Sequence, residues 1–504
     1  MTTNDSKADI ELSLINNSFI RVHTENGIKA ELREYFAFFA DGYKFMPLYK
    51  NKMWDGKVRL YNALDSTLPA GLYGRIRKFA SDRGYSMAVR ETSFGVPKQT
   101  QVFDPKVLES MVIPWVPKDY QQRALEIAIQ DKRRVIESPT GSGKSLIIYM
   151  IIRYYLALQE KRLLVIVPTT SLVEQMYSDF VEYAGPEPGV DFEKYMHKIY
   201  SGQDKKTDKP VVITTWQSIQ RTPKEWFDKF GCVIGDECHG FKAKSLTTIM
   251  NKCENADYRI GTTGTIGDKK VNRLVLEGLF GPVHKTTTTK ALQKEGTLAA
   301  LDIEAIVLEY TNEEVKLVSG GSKQMAYQPE IQFIIAHEKR NKFIRDLALA
   351  QKGNTLITFN FVEKHGEILQ RLIREKSKNS VYYIHGDTKT TEREQVRAIV
   401  ENEKNAIIVA SSGTFSTGIN IRNLHNIIFA SPTKSQIRVI QSIGRGLRKS
   451  DNGETTKLFD IIDDLSKGSK KNFAMKHAQE RLKMYKSEEF PVKIIDINLG
   501  ELYE

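Results

Sequence analysis

The sequence predicts an α/β protein built on parallel sheets with a small α+β module ahead of them, and three separated segments carry that prediction. Ser138-Pro-Thr-Gly-Ser-Gly-Lys-Ser145 is a glycine-rich turn between a short apolar strand, Arg133–Glu137, and an apolar helix that begins near Leu146. Cys232-Val-Ile234 reads as another parallel strand, delivering Asp236-Glu-Cys-His239 at its C-terminal end. Gln441-Ser-Ile-Gly-Arg-Gly-Leu-Arg448 reads as a helix whose two arginines, three apart, share a face.

Each segment has residue types that suit one chemistry, nucleoside triphosphate hydrolysis. Gly141 and Gly143 let the backbone N–H groups of Thr140 to Gly143, Ser142 included, close around phosphate oxygens at a helix N-terminus. Lys144 is then a point charge on the β and γ phosphates, and the Ser145 hydroxyl a ligand for Mg2+. The first position of the phosphate-loop pattern is Ser138 where glycine is usual. Asp236 would hold Mg2+ through water, while Glu237 would orient and deprotonate the attacking water. Arg445 and Arg448 are candidate arginine fingers. Lying so far along the chain, they are expected to come from a second domain, so that hydrolysis depends on closure.

Taken together, these segments resemble the superfamily 2 helicases of DExH type, over roughly residues 113 to 465. The resemblance implies two tandem RecA-like parallel-sheet domains with ATP and Mg2+ between them. Lys118-Asp-Tyr-Gln-Gln122 resembles the adenine-sensing motif, with Gln121 reading the base. Val165–Gln175 and Ile213–Ser218 resemble DNA-contact motifs, which makes Thr169, Thr170, Thr215, Trp216 and Gln217 contact candidates. Thr263 and Thr265, in Thr-Gly-Thr, would couple ATP state to domain movement, with His239 reaching toward Gln441. Asn354–Asn360 resembles the motif that opens the second domain, offering Phe359 and Asn360. In Ile407–Asn420, Ser411 and Ser412 are DNA candidates and Gly418 approaches the nucleotide; the motif ends in Asn420 where aspartate is common. The whole chain, including Trp54-Asp-Gly-Lys57, is similar to the recombination helicases of T-even phages. That similarity implies 3′ to 5′ movement and action on Holliday junctions, forks, displacement loops and RNA-containing loops, in recombination, repair and replication.

The elements follow in chain order. Residues 1–110 are expected to be a small α+β domain, with strands at Ser18–His23 and Lys57–Tyr61 and a helix at Gly74–Arg83. Between residues 41 and 90, ten Lys/Arg face four Asp/Glu and mingle with Tyr43, Phe45, Tyr49, Trp54 and Tyr61. That mixture suits DNA, through Lys50, Lys52, Lys57, Arg59, Arg75 and Arg77, or else the aromatics form the core of the domain. Pro105, Pro114 and Pro117 mark the boundary to the first ATP-binding domain, residues 111–300, which closes on a helix near Ala291–Ala299. The second domain is assigned to residues 301–465. Residues 311–335 have no clear period, and Gly320-Gly321 marks a turn that reads as a surface loop or a strand-separating element. A C-terminal extension, 466–504, carries a helix near 472–486 and a strand-like end, Val492–Ile497, that docks on a sheet or awaits a partner.

Composition agrees with this reading. The 504 residues, 40% hydrophobic, allow about three domains with cores. The net charge of +12 favours a polyanionic partner, because neutralising phosphates releases counterions. No apolar stretch approaches the roughly 20 residues of a membrane span. Three cysteines, Cys232, Cys238 and Cys253, suggest neither a zinc site nor a disulfide framework. The expectation is a cytoplasmic monomer, in the host cytoplasm if the source is viral, acting on branched and single-stranded DNA, with RNA–DNA hybrids as further substrates. A duplex translocase of restriction type and an RNA helicase use the same motifs and stay open as alternatives.

Overall fold

The computed structural model describes residues 8–40, 42–90, 102–139, 141–158, 161–185, 191–200, 202–242, 244–264, 266, 270–295, 301–319, 327–414, 423–432, 455–466, 470–487 and 490–503. They form two compact units: Met1–Ser138 with Gly143–Thr286, and Thr287–Glu504 with the short stretch Pro139–Ser142.

The first unit opens with a mixed sheet. In β1 (Ile10–Leu14) and β2 (Phe19–Thr24), Ile10, Leu12, Ile20 and Val22 are buried, and the strands pair antiparallel. A separate hairpin joins β3 (Ala37–Phe39) to β4 (Lys57–Arg59), while β5 (Thr67–Pro69) and β6 (Met87–Val89) complete the sheet in the order β5-β2-β1-β6. Helices Asn26–Tyr35 and Tyr73–Arg83 bury Ile28, Leu32, Ile76 and Phe79 in the same core. Leu274, from the helix Lys270–Phe280 of the domain that follows, belongs to this core, so the module is packed onto its neighbour. Arg75 seals that junction: its Nε and Nη2 donate to the carboxylate of Glu277 at 2.7 and 3.0 Å. Gly71 lies against the same helix so closely that a Cβ there would stand 2.0 Å from the Glu277 carbonyl oxygen.

The large sheet of this unit contains β7 (Arg133–Glu137), β8 (Arg162–Val167), β9 (Met196–Ile199), β10 (Val211–Thr215), β11 (Phe230–Asp236), β12 (Tyr258–Thr263) and β13 (Val283–Lys285). All pair parallel, in the order β13-β7-β12-β11-β8-β10-β9. Helices cover both faces, which is why β11 is buried at every residue and reads as an apolar run up to Asp236. Leu146 to Ile152, in the helix Lys144–Leu158, are all buried for the same reason. Register sets Glu137 beside Thr263 and Asp236 beside Thr262, so β7, β12 and β11 end side by side. The carboxyl end of such a sheet is where ligands bind.

The second unit is another parallel sheet, made of β14 (Leu301–Glu309), β15 (Thr355–Phe359), β16 (Val381–Ile384), β17 (Ile407–Ser411), β18 (Asn426–Phe429), β19 (Thr456–Asp464) and β20 (Val492–Asn498). Its order is β16-β17-β15-β18-β19-β14-β20. The C-terminal helix, Phe473–Ser487, leads into β20, which docks on β14 as the edge strand. Residues 312–319 and 327–336 are helical, where the sequence offered a loop or a strand-separating element; the Gly320-Gly321 turn lies outside the described residues. Buried Glu330 disguises the second helix. Its carboxylate accepts hydrogen bonds from the backbone N–H groups of Phe473 and Ala474 and from Asn472 Nδ2, at 2.7–3.0 Å, and so caps the C-terminal helix. A charge at an inward position breaks the apolar period that would have revealed a helix. Among the described residues no helix is long and apolar enough to cross a membrane, and all three cysteines are buried and free.

Candidate active site

Ser138, standing where the phosphate-loop pattern has glycine, is fully buried, and its Oγ accepts a hydrogen bond from Thr286 Oγ1 at 2.9 Å. Its N–H donates to the Thr263 carbonyl, tying the turn to β12. Gly141 and Gly143 have φ of 82° and 76°, left-handed values that a side chain strains to adopt. At Gly143 the space a Cβ would take is held by Gln121 Nε2, 2.5 Å away. Gln121 itself caps the helix Asp119–Asp131, its Oε1 accepting from Lys118 N–H at 2.9 Å. Gln121 thus lies directly on the glycine-rich turn.

Lys144 begins the helix behind the loop, and its Nζ stands 2.9 Å from Glu237 Oε1. Ser145 Oγ is 2.8 Å from Tyr183 Oη. At the end of β11, Asp236 Oδ1 accepts from Thr262 Oγ1 at 2.8 Å. Burial pushes the Asp236 carboxyl above its usual range, against the pull of Lys144. Burial acts on Glu237 in the same sense, but Lys144 and His239 outweigh it and hold that carboxylate below its usual range. Lys144 is desolvated too, yet Glu237 and Asp236 keep its pKa raised. Glu237 has φ 48°, a left-handed conformation that costs a non-glycine residue about 1–3 kcal/mol and is found where function demands it. His239 Nδ1 lies 3.3 Å from Glu237 Oε2 and 3.0 Å from Thr263 Oγ1, joining the carboxylate to the end of β12. An ammonium between two carboxylates, beside N–H groups at a helix N-terminus, can take phosphate. Ser145 and Asp236 offer hard oxygen donors of the kind Mg2+ takes.

Thr140, Thr265, Gly418, Gln441, Arg445 and Arg448 lie outside the described residues. The remaining DNA candidates divide by exposure. Thr169 caps the helix Thr170–Ala184, its Oγ1 accepting from Leu172 N–H, and Thr170 is exposed. Thr215 is not a surface group: it is 3% exposed and bonded to Ser218 Oγ at 2.9 Å, while Trp216 packs on the sheet core, leaving Gln217 to solvent. Phe359 is likewise core, stacked on Tyr383 with ring centroids 5.6 Å apart, because the strand period turns it inward; Asn360 after it is exposed. Ser411 donates to Thr414 Oγ1 at 2.6 Å, and Ser412 is half-buried. In the N-terminal module Lys57 pairs with Glu34, Arg59 with Glu34 and Asp55, and Arg75 with Glu277. Lys50, Lys52 and Arg77 are exposed, and Tyr61 is core.

Three participants were missed by sequence reasoning. Thr262 adjoins the Thr263 motif and could have been found by its position opposite Asp236. Tyr183 looks like any aromatic on an amphipathic helix, and Glu277 gives no local signal at all.

Comparison with known proteins adds relatives to this geometry. Residues 9–90 match the family model "DNA helicase UvsW, N-terminal". Residues 115–268 match "Type III restriction enzyme, res subunit", and 338–450 match "Helicase conserved C-terminal domain". The chain is 36% identical to the ATP-dependent DNA helicase uvsW of Enterobacteria phage T4, over 97% of this chain and 100% of that one. It is 24% identical to the DNA 3′-5′ translocase XPB2 of Sulfurisphaera tokodaii, over 79% and 90% of the two chains. The crystal structure of T4 UvsW aligns with a TM-score of 0.50 at 33% identity, covering 97% of this chain and 100% of that chain. A putative HsdR fragment of a type I restriction enzyme from Vibrio vulnificus shares the fold, with a TM-score of 0.55 at 18% identity over 88% and 76%.

Proposed function

The chain belongs to the UvsW family of superfamily 2 ATP-dependent DNA helicases, and on that premise we propose that it unwinds and branch-migrates branched DNA in recombination, repair and replication. Its substrates on this reading are Holliday junctions, forks, displacement loops and RNA-containing loops, and it moves 3′ to 5′. The observation that supports the chemistry is the run of short contacts from Lys144 through Glu237 and His239 to Thr263.

Lys144 leaves Glu237 for the β and γ phosphates when ATP with its Mg2+ arrives, and the N–H groups of Thr140 to Gly143 close on the remaining oxygens. Ser145 and Asp236, the latter through water, would hold a Mg2+ ion that neutralises phosphate charge, and Tyr183 would then give up the Ser145 hydroxyl. Released from its ion pair, Glu237 turns to the attacking water and takes its proton. Arg445 and Arg448 meet the charge that develops on the γ-phosphate, and Gln441 senses the outcome. His239 reports the change to Thr263 and Thr265. Exposed groups, Thr170, Gln217, Asn360 and the lysines of the N-terminal module, hold the DNA backbone.

ATP hydrolysis measured without nucleic acid and with single-stranded DNA, duplex DNA, a four-way junction and RNA tests this reading. Greatest stimulation by the junction supports it. Stimulation by plain duplex with no strand release would replace it with a translocase of restriction type, and stimulation by RNA alone would replace it with an RNA helicase.

A further inference from the structure

Residues 42–56, between β3 and β4, expose large apolar side chains beside an aromatic cluster. In that cluster Phe39 stacks on Tyr43 at 4.6 Å, and Tyr43 meets Tyr49 edge-on at 4.8 Å. Gly56, with φ 79°, lets the backbone close on Tyr43, whose ring would lie 2.4 Å from any Cβ there. Trp54 Nε1 donates to the Lys57 carbonyl at 2.9 Å, and Lys52 is turned left-handed at φ 57°. These contacts support a 3-10 turn, Tyr43–Phe45, and a one-turn helix, Pro47–Lys50.

Beside them, large apolar side chains face water. Phe45 is 80% exposed, Met53 75% and Leu48 55%. So much apolar surface gathered within one short connection marks a site of contact. Its rim is cationic. Lys44, Lys50 and Lys52 pair with no carboxylate among the described residues, whereas Lys57 and Arg59, at the foot of the hairpin, are neutralised by Glu34 and Asp55. An open concavity of about 580 Å³ lies between these lysines, lined also by Tyr49, Met53, Trp54 and Asp55, whose carboxylate is taken by Arg59.

Unneutralised lysines are depleted from protein–protein interfaces, which disfavours a protein occupant. Phosphates need such lysines, and the side chains that proteins drive between base steps are Phe, Leu, Met and Pro. We propose that this connection is a strand-separating wedge. Phe45, Leu48 and Met53 enter the base stack at a DNA branch point, where pairs are already weakened, while Lys44, Lys50 and Lys52 hold the flanking phosphates. The proposal rests on the branched-DNA reading above and names the part of the chain that opens the junction.

A four-way junction carrying 2-aminopurine at the branch point tests it, because unstacking raises that base's fluorescence. Full-length protein is added to saturation without ATP, and the affinity is measured by anisotropy alongside. The wild type should raise the signal severalfold. The Phe45→Ala/Met53→Ala variant should lose most of that rise with its affinity reduced less than about tenfold, since the lysines still hold the backbone. Both side chains are exposed, so its melting temperature should match the wild type and exclude misfolding. A full rise with this variant overturns the wedge and leaves the connection as a protein-docking surface. No rise with a wild type that binds the junction overturns the wedge alone, and a wild type that prefers plain duplex overturns the functional reading with it.

Discussion

Replacing Glu237 with Gln should tighten ATP binding while nearly stopping turnover, and the structure sets the scale of both effects. Lys144 Nζ is 2.9 Å from Glu237 Oε1, with the side chains 16% and 20% exposed. Coulomb's law at an effective dielectric near 20 gives about 6 kcal/mol for that separation, and water returns most of it. Exposed pairs are worth about 0.2–1 kcal/mol, and breaking a buried one costs about 3–5. A pair between these limits should contribute about 1–2 kcal/mol. ATP must break it to claim Lys144, and must also bring its γ-phosphate toward the Glu237 carboxylate. Glu237→Gln removes both obstacles, so ATP should bind about 5- to 30-fold more tightly. The amide cannot take a proton from water, so turnover should fall by about 10²–10⁴. Fluorescent-nucleotide titration and single-turnover hydrolysis measure the two. Unchanged ATP affinity would refute the competition between glutamate and phosphate for Lys144, and normal turnover would refute the role of Glu237.

The junction between the N-terminal module and the first motor domain gives a stability test. Arg75→Ala leaves the nearly buried Glu277 with Arg273 alone, at 2.8 Å, and should cost about 1–3 kcal/mol, visible by calorimetry as a lower melting temperature. Gly71→Ala, which forces a Cβ against the Glu277 carbonyl, should cost at least as much; an unchanged melting temperature in both would mean the docking is not as described. Lys50→Glu/Lys52→Glu should weaken DNA binding more than Lys57→Glu, because Lys57 already has Glu34, and should lower the salt slope of binding by about one per lysine. Equal effects would dissolve the distinction between paired and unpaired lysines. Burial pushes the thiols of Cys232 and Cys238 well up and that of Cys253 to about 12, so native protein should resist iodoacetamide at neutral pH and take up three labels once unfolded; rapid native labelling would contradict their burial.

The glycine-rich turn before Lys144 and the acidic end of β11 were legible in the sequence because each is local: consecutive residues on one turn or at one strand end. Strand period was legible too, but which face of a strand meets the core depends on the neighbouring helices. That is why Thr215 and Phe359, read as contacts, are inside. The fate of Arg75 depended on Glu277, two hundred residues on, which no window of sequence contains. The helix at Tyr327–Ala336 was hidden by Glu330, whose partners lie at the head of the C-terminal helix. Basic count alone could not separate Lys50 and Lys52 from Lys57 and Arg59; the carboxylates that neutralise the latter pair did so.

Strand release from a four-way junction, followed with ATP for the wild type and for Lys144→Ala, tests most directly the claim that phosphate capture by Lys144 drives remodelling of branched DNA. The account predicts release by the wild type alone, with the variant binding the junction and leaving it whole. Release by Lys144→Ala at the wild-type rate, or a wild type that hydrolyses ATP on the junction yet leaves it intact, would contradict it.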